Sequence, residues 1–530
     1  MLETLTSLPW WAYLLFILLV IALWDILQRR HTILHNYPLV GHLRYLIEKI
    51  GPEMRQYIVA DNREELPFNR RLRSWIFASA KKDNNYKGFG TDQNIHEPGY
   101  IFIKPALLAM QLPASHPHSV GNTEHPQHHT LPAAKAIGLY HGRRRPYRPR
   151  SVVNISAMSY GSLSAKAVES LNRGSLKFGN YHNTGEGGLS PYHQNGADVV
   201  FQVGTAYFGV RDNDGNFSLE KLVKMVEENP FIRMVEVKLS QGAKPGKGGV
   251  LPAKKITDEI AEIRNVPKGE DVVSPPYHEE FSDVPGMVDF IETIAQATGL
   301  PVGIKAAVGK LEMWQELAEI MIKTDRGPDF ITIDGGEGGT GAAPPSFSDH
   351  VALPWVYGFS RVYTIFQKAN LTDRITFIGS GKLGFPAHSI MAFAMGADLI
   401  NVARESMMSI GCIQAMICHT NRCPTGVATN SKWLQAGLDP TLKSERFANY
   451  LTTLTKEIIE ISHAASYEHP CQFTMEDVDI AMGDNNQTSC LTDNYGYSKD
   501  PVKFDGMKHL LDCPHLGGKS TLVLPEEATA

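Results

Sequence analysis

The sequence predicts an α/β protein: a (β/α)8 barrel of the TIM type, preceded by one transmembrane helix and followed by a helical C-terminal extension. Three observations carry this. Short apolar, β-rich runs recur eight times between residues 152 and 405, most of them ending in glycine-containing loops. Amphipathic helical patterns lie between several of them, an alternation that indicates a parallel sheet. An uncharged N-terminal run is long enough to cross a bilayer. The divisions expected are 1–28 for the anchor, 29–150 for an N-terminal extension, 151–430 for the barrel and 431–530 for the helical region and tail.

The segment WWAYLLFILLVIALW, Trp10 to Trp24, carries no charge, and the apolar run resumes at Ile26 after Asp25. From Leu8 to Leu27 there are twenty residues, enough at ~1.5 Å each to span a hydrocarbon core. Trp10, Trp11 and Trp24 stand where an aromatic belt belongs. No Lys or Arg precedes the run and no cleavage signature follows it, which disfavours a secretory signal. Arg29 and Arg30 follow directly, so the positive-inside rule places the rest of the chain in the cytoplasm, as a single-pass membrane protein.

Between 31 and 150 the patterns are short. The histidines at 116, 118, 125, 128 and 129 belong to a Pro-rich stretch without a regular element to hold them, and an ordinary surface loop is expected. The basic runs RRLR (70–73) and GRRRPYRPR (142–150) are taken as solvated rather than lipid-bound. A formal net charge of −5 gives no reason to propose nucleic acid as a partner.

The eight candidate strands are VVNISAMSYG (152–161), NYHNTGEGG (180–188), DVVFQVG (198–204), RMVEVKLSQG (233–242), PVGIKAAVG (301–309), FITIDGGEGGTG (330–341), ITFIGSGKLG (375–384) and LINVARE (399–405). In a barrel, chemistry gathers at the C-terminal strand ends, where these glycine loops fall. Gly379, Gly381 and Gly384 form GxGxxG after ITFI, with Glu405 further on, as in a dinucleotide fingerprint. No further βα units follow to complete such a sheet. The loop after strand seven of a barrel is a phosphate cradle instead, and these glycines are taken as a grip on the phosphate of FMN.

Three of the six cysteines, Cys412, Cys418 and Cys423, sit in GCIQAMICHTNRCPTGVATN, and none precedes Cys412. Such a trio points to metal or iron–sulfur ligation rather than disulfides. Three thiolates suit the three irons of a 3Fe–4S centre. Zinc with His419 is the alternative, disfavoured because His419 adjoins Cys418. Cys471, Cys490 and Cys513 are scattered and expected to be inert.

NISAMSYGSLS, NTGEGG, QGAKPGKGG, VSPPYH, DGGEGGTGA and CIQAMICHTNRCPTGVAT, in this order over 151–430, together resemble the FMN-binding synthase domain of glutamate synthase, above all its archaeal-type single-domain members. The resemblance implies an oxidoreductase carrying FMN beside a 3Fe–4S cluster and reducing 2-iminoglutarate, from 2-oxoglutarate and ammonia or an amine, to L-glutamate. Ser156, Ala157, Met158 and Ser159 are then the segment along the flavin edge. Gly336, Gly338, Gly339, Ala403 and Arg404 join the cofactor site. Lys305 is the cation beside the flavin, or a structural lysine of the barrel mouth. Gln241 and Lys244 face flavin or substrate, Lys244 alternatively being solvated. Glu186 is a proton donor or a structural carboxylate. Arg264 engages the oxo acid, or lies on a helix surface.

The family's usual GEGGQLPG is GKGGVLPA here, with Lys247 for an acid, Val250 for glutamine and Ala253 for glycine, which leaves the substrate open. With no cysteine before Cys412, glutaminase chemistry by an N-terminal cysteine is not expected. Nitrogen then comes as free ammonia, as an amine or from another subunit. Electrons come from a partner such as ferredoxin or a reductase subunit. Two alternatives stand beside this: a membrane-associated flavin dehydrogenase of a 2-hydroxy or 2-amino acid, and a non-catalytic electron-transfer subunit.

Overall fold

The computed structural model describes residues 9–28, 30–111, 131–483, 487–499 and 502. The histidine-rich loop, apart from its edges, and Cys513 lie outside the described residues. The chain divides into two compact units, Met1–Ser74 and Trp75–Ala530.

In the first unit, Trp10–Leu27 forms one 18-residue helix whose apolar side chains are largely exposed. It is long and apolar enough to cross a membrane. Asp25, an interruption in the sequence pattern, is buried. Its carboxylate accepts the Leu39 N–H at 3.0 Å and faces His42 Nε2 at 3.0 Å. A second helix, Val40–Met54, follows and runs on as a π turn, Arg55–Val59. RRLR is not simply solvated as expected: Arg70 donates to the Tyr57 carbonyl, and Arg73 is buried and pairs with Glu65 at 2.6 Å.

In the second unit all eight expected strands are present: β1 Val153–Ile155, β2 His182–Asn183, β3 Val199–Val203, β4 Ile232–Lys238, β5 Val302–Ala306, β6 Phe330–Asp334, β7 Thr376–Ser380 and β8 Leu399–Val402. They close in chain order, β8 pairing β1, with every pairing parallel. The strands are buried almost throughout, which is why they appear as unbroken apolar runs. Inside the barrel, Glu236 sits amid polar partners and accepts from Asn183 Nδ2 (2.8 Å), Gln202 Nε2 (2.6 Å) and Thr332 Oγ1 (2.8 Å).

The helices start and stop where the sequence provides caps. Helix Ala165–Phe178 begins after Ser164, whose side chain accepts the Ala167 N–H, and ends at Gly179 with φ 93°. It packs against the long C-terminal helix Pro440–Ala464. Gly174 permits the close approach, since a Cβ there would lie 2.6 Å from Phe447 Cδ1.

One expectation is corrected at the opposite end of the barrel. The run at 142–150 is not simply solvated. The Arg143 side chain is only 7% exposed, its guanidinium forked onto Glu292 (2.7 and 2.9 Å) and its Nε donating to Asp329 (2.9 and 3.0 Å). Asp329 also accepts the Val302 N–H at 2.8 Å. The cause is position: residues 131–150 lie across the strand N-termini, and two buried carboxylates there require a cation.

Candidate active site at the barrel mouth

Each apolar strand ends on, or next to, a polar residue, so the fold delivers polar groups to one rim. β4 ends on Lys238, β5 has Lys305 next to last, β6 ends on Asp334 and β7 on Ser380. All four line a single open cavity.

Lys305 Nζ lies 3.6 Å from Asp334 Oδ2. Asp334 is itself fixed, accepting from the Gly242 N–H at 2.9 Å and from Ser380 Oγ at 2.9 Å. Only glycine fits at 242, because a Cβ would collide with the Gly335 carbonyl. Across the cavity, Lys238 Nζ lies 2.9 Å from Glu186 Oε2 and donates to Gln241 Oε1 at 2.6 Å.

Burial acts to raise the Glu186 pKa, but Lys238, Lys244 and Arg264 together outweigh it and hold the carboxyl below its ordinary value. An ionised Glu186 at neutral pH suits a charge partner rather than a proton donor. Lys244 and Arg264 are each only 5% exposed, so neither surface alternative holds. Burial lowers the Lys244 pKa against the opposing pull of Glu186. Arg264 donates to the Tyr160 carbonyl at 3.0 Å and lies 5.1 Å over the Phe208 ring, and burial brings its pKa down to about 10. Its Nε is buried without a hydrogen-bond partner. Both cations stand behind Glu186 rather than in the cavity wall.

The glycine loops divide likewise. Gly338, Gly339 and Gly381 line the cavity with Ala403 and Arg404. A Cβ on Gly381 would come 2.6 Å from Trp355 Cβ, and one on Gly339 would come 2.7 Å from Arg404 Cδ, so both positions are restricted to bare backbone. Gly336, Gly379 and Gly384 are not lining residues. Gly336 donates its N–H to the Leu353 carbonyl, Gly379 fits against the Trp355 ring and Gly384 against the Tyr450 hydroxyl. In the first-strand segment Ser156 and Ala157 face the cavity. Met158 is buried, its carbonyl 3.0 Å from His193 Nε2, and the Ser159 hydroxyl donates to Ser162 at 2.9 Å. Lys238 and Asp334 were not anticipated as site residues. The signal was available, since each closes an apolar strand as Lys305 nearly does.

The cysteine loop follows β8. Its backbone enters the left-handed region at Gly411, Gln414, Met416 and Asn421, a density of unusual torsions common at functional loops. Burial raises the Cys423 pKa, but backbone N–H groups of Ala428, Thr425 and Val427 and the Thr425 hydroxyl outweigh it, and the thiol lies below its ordinary value. Burial, then the neighbouring Cys423, pushes Cys418 up, while Lys255 draws it down. Lys255 is 2% exposed and donates to the carbonyls of Ser162 (2.8 Å) and Cys418 (3.3 Å). Among the described residues, no three His, Cys, Asp or Glu side chains converge as a metal-holding group, so the three cysteines of this loop do not meet at one point. Cys471 is buried and its thiol is pushed up to about 12, as an inert cysteine should be.

A closed parallel barrel with paired charges and glycine loops at its C-terminal mouth defines the class of (β/α)8-barrel enzymes. The family model described as the conserved region in glutamate synthase matches residues 124–468, well over half of the chain. The chain belongs to the glutamate synthase family, a family of oxidoreductases. It is 39% identical over 476 residues to the glutamate synthase large subunit-like protein YerD of Bacillus subtilis, covering 85% of this chain and 90% of that one. It is 34% identical over 312 residues to the archaeal-type glutamate synthase (NADPH) of Thermotoga neapolitana, 58% of each chain. The ferredoxin-dependent glutamate synthase of Pyropia yezoensis matches at 32% over 327 residues, only 21% of its length. The chain thus spans less than two thirds of the archaeal-type relatives. Mandelate oxidase structures align over 72% of this chain with a TM-score of 0.41 and 13% identity.

Proposed function

We propose that the chain is an FMN- and iron–sulfur-dependent oxidoreductase that forms L-glutamate, or a related amino acid, by reducing the 2-imino acid derived from a 2-oxo acid and ammonia or an amine. The observation that carries this is the cavity itself, in a glutamate synthase family barrel. One wall is bare glycine backbone, and the lining cations Lys238, Lys305, Lys382 and Arg404 outnumber the lining carboxylates Asp334 and Glu405. Such a balance favours a dicarboxylate over a neutral substrate.

The cavity lining suits FMN, and the cysteine loop offers thiols for a cluster. Gly338, Gly339, Gly381, Ala403 and Arg404, which line one wall of the cavity, would hold the phosphate end of FMN. Cys423, already drawn toward thiolate, and Cys418 beside Lys255 suit iron ligation, with Cys412 completing the set once the loop closes on the cluster. When bound, FMN supplies two-electron transfer to carbon and a 3Fe–4S cluster supplies one-electron relay. In this scheme Lys305 holds positive charge at the mouth, fixed by Asp334. Gln241 is oriented by Lys238, Glu186 pairs with Lys238, and Lys244 and Arg264 help to hold Glu186 ionised behind the wall. Lys247, in place of an acid, sits exposed on the same loop 5.7 Å over the Phe347 ring. It adds positive charge outside the cavity rather than removing it from the wall.

The N-terminal helix is proposed as a single-pass membrane anchor with the barrel on the cytoplasmic side. Ferredoxin or a reductase subunit is proposed as electron donor. A 2-hydroxy-acid dehydrogenase is the second reading, favoured by the anchor. Against it, Lys382 rather than an imidazole lines the cavity after β7.

Two measurements test the proposal. With 2-oxoglutarate, ammonia and reduced ferredoxin the purified protein should oxidise ferredoxin and make glutamate, and a panel of 2-hydroxy acids should leave its flavin oxidised. The reverse pattern would select the second reading. Cys418→Ser should lose bound iron while the FMN absorbance persists; unchanged iron content would remove Cys418 from the ligand set.

A further inference from the structure

We propose that helix Val40–Met54 lies in the plane of the membrane, its outward stripe buried among phospholipid acyl chains beside helix Trp10–Leu27; this rests on the membrane reading above. Val40, Leu43, Leu46, Ile47, Ile50 and Met54 recur at spacings of three and four and therefore form one stripe. All six are exposed, from 42% at Ile50 to 71% at Val40. Arg44, Glu48, Lys49 and Glu53 occupy the remaining arc. The helix's one buried residue is Gly41, seated against Leu34. Gly41 is nine residues from Ile50, ~180° around a helix that turns ~100° per residue. The apolar stripe thus faces away from the contact at Gly41, and Arg44, Glu48, Lys49 and Glu53 are exposed as well, so the helix offers separate apolar and charged surfaces. The uncovered surface continues through Tyr57, Ile58 and Val59, each at least 48% exposed.

What covers the stripe follows from how the helix is attached. Asp25, in the last turn of helix Trp10–Leu27, accepts the Leu39 N–H and faces the His42 ring, each at 3.0 Å. Those contacts tie the first turn of the second helix to the end of the first. The stripe therefore begins at the level where the spanning segment leaves the hydrocarbon, beside Trp24, an interfacial residue type that is 71% exposed. An amphipathic helix at that depth buries its apolar face at the boundary of headgroups and acyl chains, and Arg44 and Lys49 reach back to the headgroups. The two bases and two acids on its polar arc balance, so apolar burial rather than anionic-lipid attraction drives the contact.

The full chain, reconstituted in phosphatidylcholine vesicles, tests this with a benzophenone amino acid placed singly at Phe16, Ile47, Ile50 or Lys49. Irradiation should give phospholipid adducts from 16, 47 and 50, and several-fold fewer from 49. Lipid adducts from 16 with only peptide adducts, or none, from 47 and 50 would overturn the proposal, because protein or water would then cover the stripe. Absence of lipid adducts at 16 would overturn the anchor reading itself, a separable outcome. A paired variant, Ile47→Glu with Ile50→Glu, should lose the lipid adduct at Leu43 and keep the one at Phe16.

Discussion

Lys305→Met should lower kcat by ~10²–10³-fold, the range seen when one preorganised electrostatic group is removed from an active site. Bound FMN should be retained, because the glycine loops and Arg404 that would hold its phosphate end are untouched. The size of the effect comes from how the cation is kept. Its Nζ lies 3.6 Å from an Asp334 carboxylate already pinned by Gly242 N–H and Ser380 Oγ. The charge is oriented before substrate arrives, and methionine keeps the length while removing it. Steady-state rates and flavin absorbance on the same preparation make the check. Lys305→Arg should recover part of the loss. An unchanged kcat in the methionine variant would reduce Lys305 to a structural lysine.

Arg143→Met should cost the barrel ~3–5 kcal/mol, the range for breaking a buried ion pair by removing one partner. Both Glu292 and Asp329 would be left buried without their cation. The pH dependence gives a second signature. Burial raises the Glu292 pKa, but its hydrogen bond and charge interaction with Arg143 outweigh this, so the folded value lies below the ordinary one. The pair's stabilisation is therefore present above the unfolded carboxylate pKa of ~4.3 and is lost as pH falls through the depressed folded value. Without Arg143 the largest pull against burial is gone, and only the Gly327 N–H and the nearby His141 still act to lower the Glu292 pKa. The variant should then lose least stability in acid and most at neutral pH. Thermal or denaturant unfolding of both proteins at pH 4 and 7 would show the crossing trend; parallel curves would mean that Arg143 contributes nothing through these carboxylates.

The barrel was legible because parallel strands buried on both faces appear as unbroken apolar runs, and because glycines mark where chain meets ligand. Even β2, only His182–Asn183, was found from its flanking NTGEGG loop. Helix Trp355–Lys368 was not, since its aromatic-rich turn of sequence resembles neither a clean stripe nor a strand. Charge partners were the least legible feature. Arg143 sits among arginines that look alike in sequence, and only the three-dimensional neighbourhood separates the buried one. Asp25 looked like a flaw in an apolar run, yet it joins two helices. Lys238 and Asp334 escaped because attention fell on glycine motifs while the strand-terminal polar residue, the same cue that exposed Lys305, went unused. The cysteine spacing located the loop but not its closure around a common centre, which depends on what the thiols hold.

The contact between Tyr450 and Gly384 has a consequence for the region after 431. That fully buried tyrosine, midway along helix Pro440–Ala464, donates its hydroxyl to the Gly384 carbonyl at 2.9 Å. The hinge of the proposed phosphate grip is therefore bolted from outside the cylinder, by sequence that comes after all eight barrel strands. Shortened versions of this chain that stop near 431 should keep their staves yet leave that loop slack, so ligand affinity and thermal resistance ought to fall together.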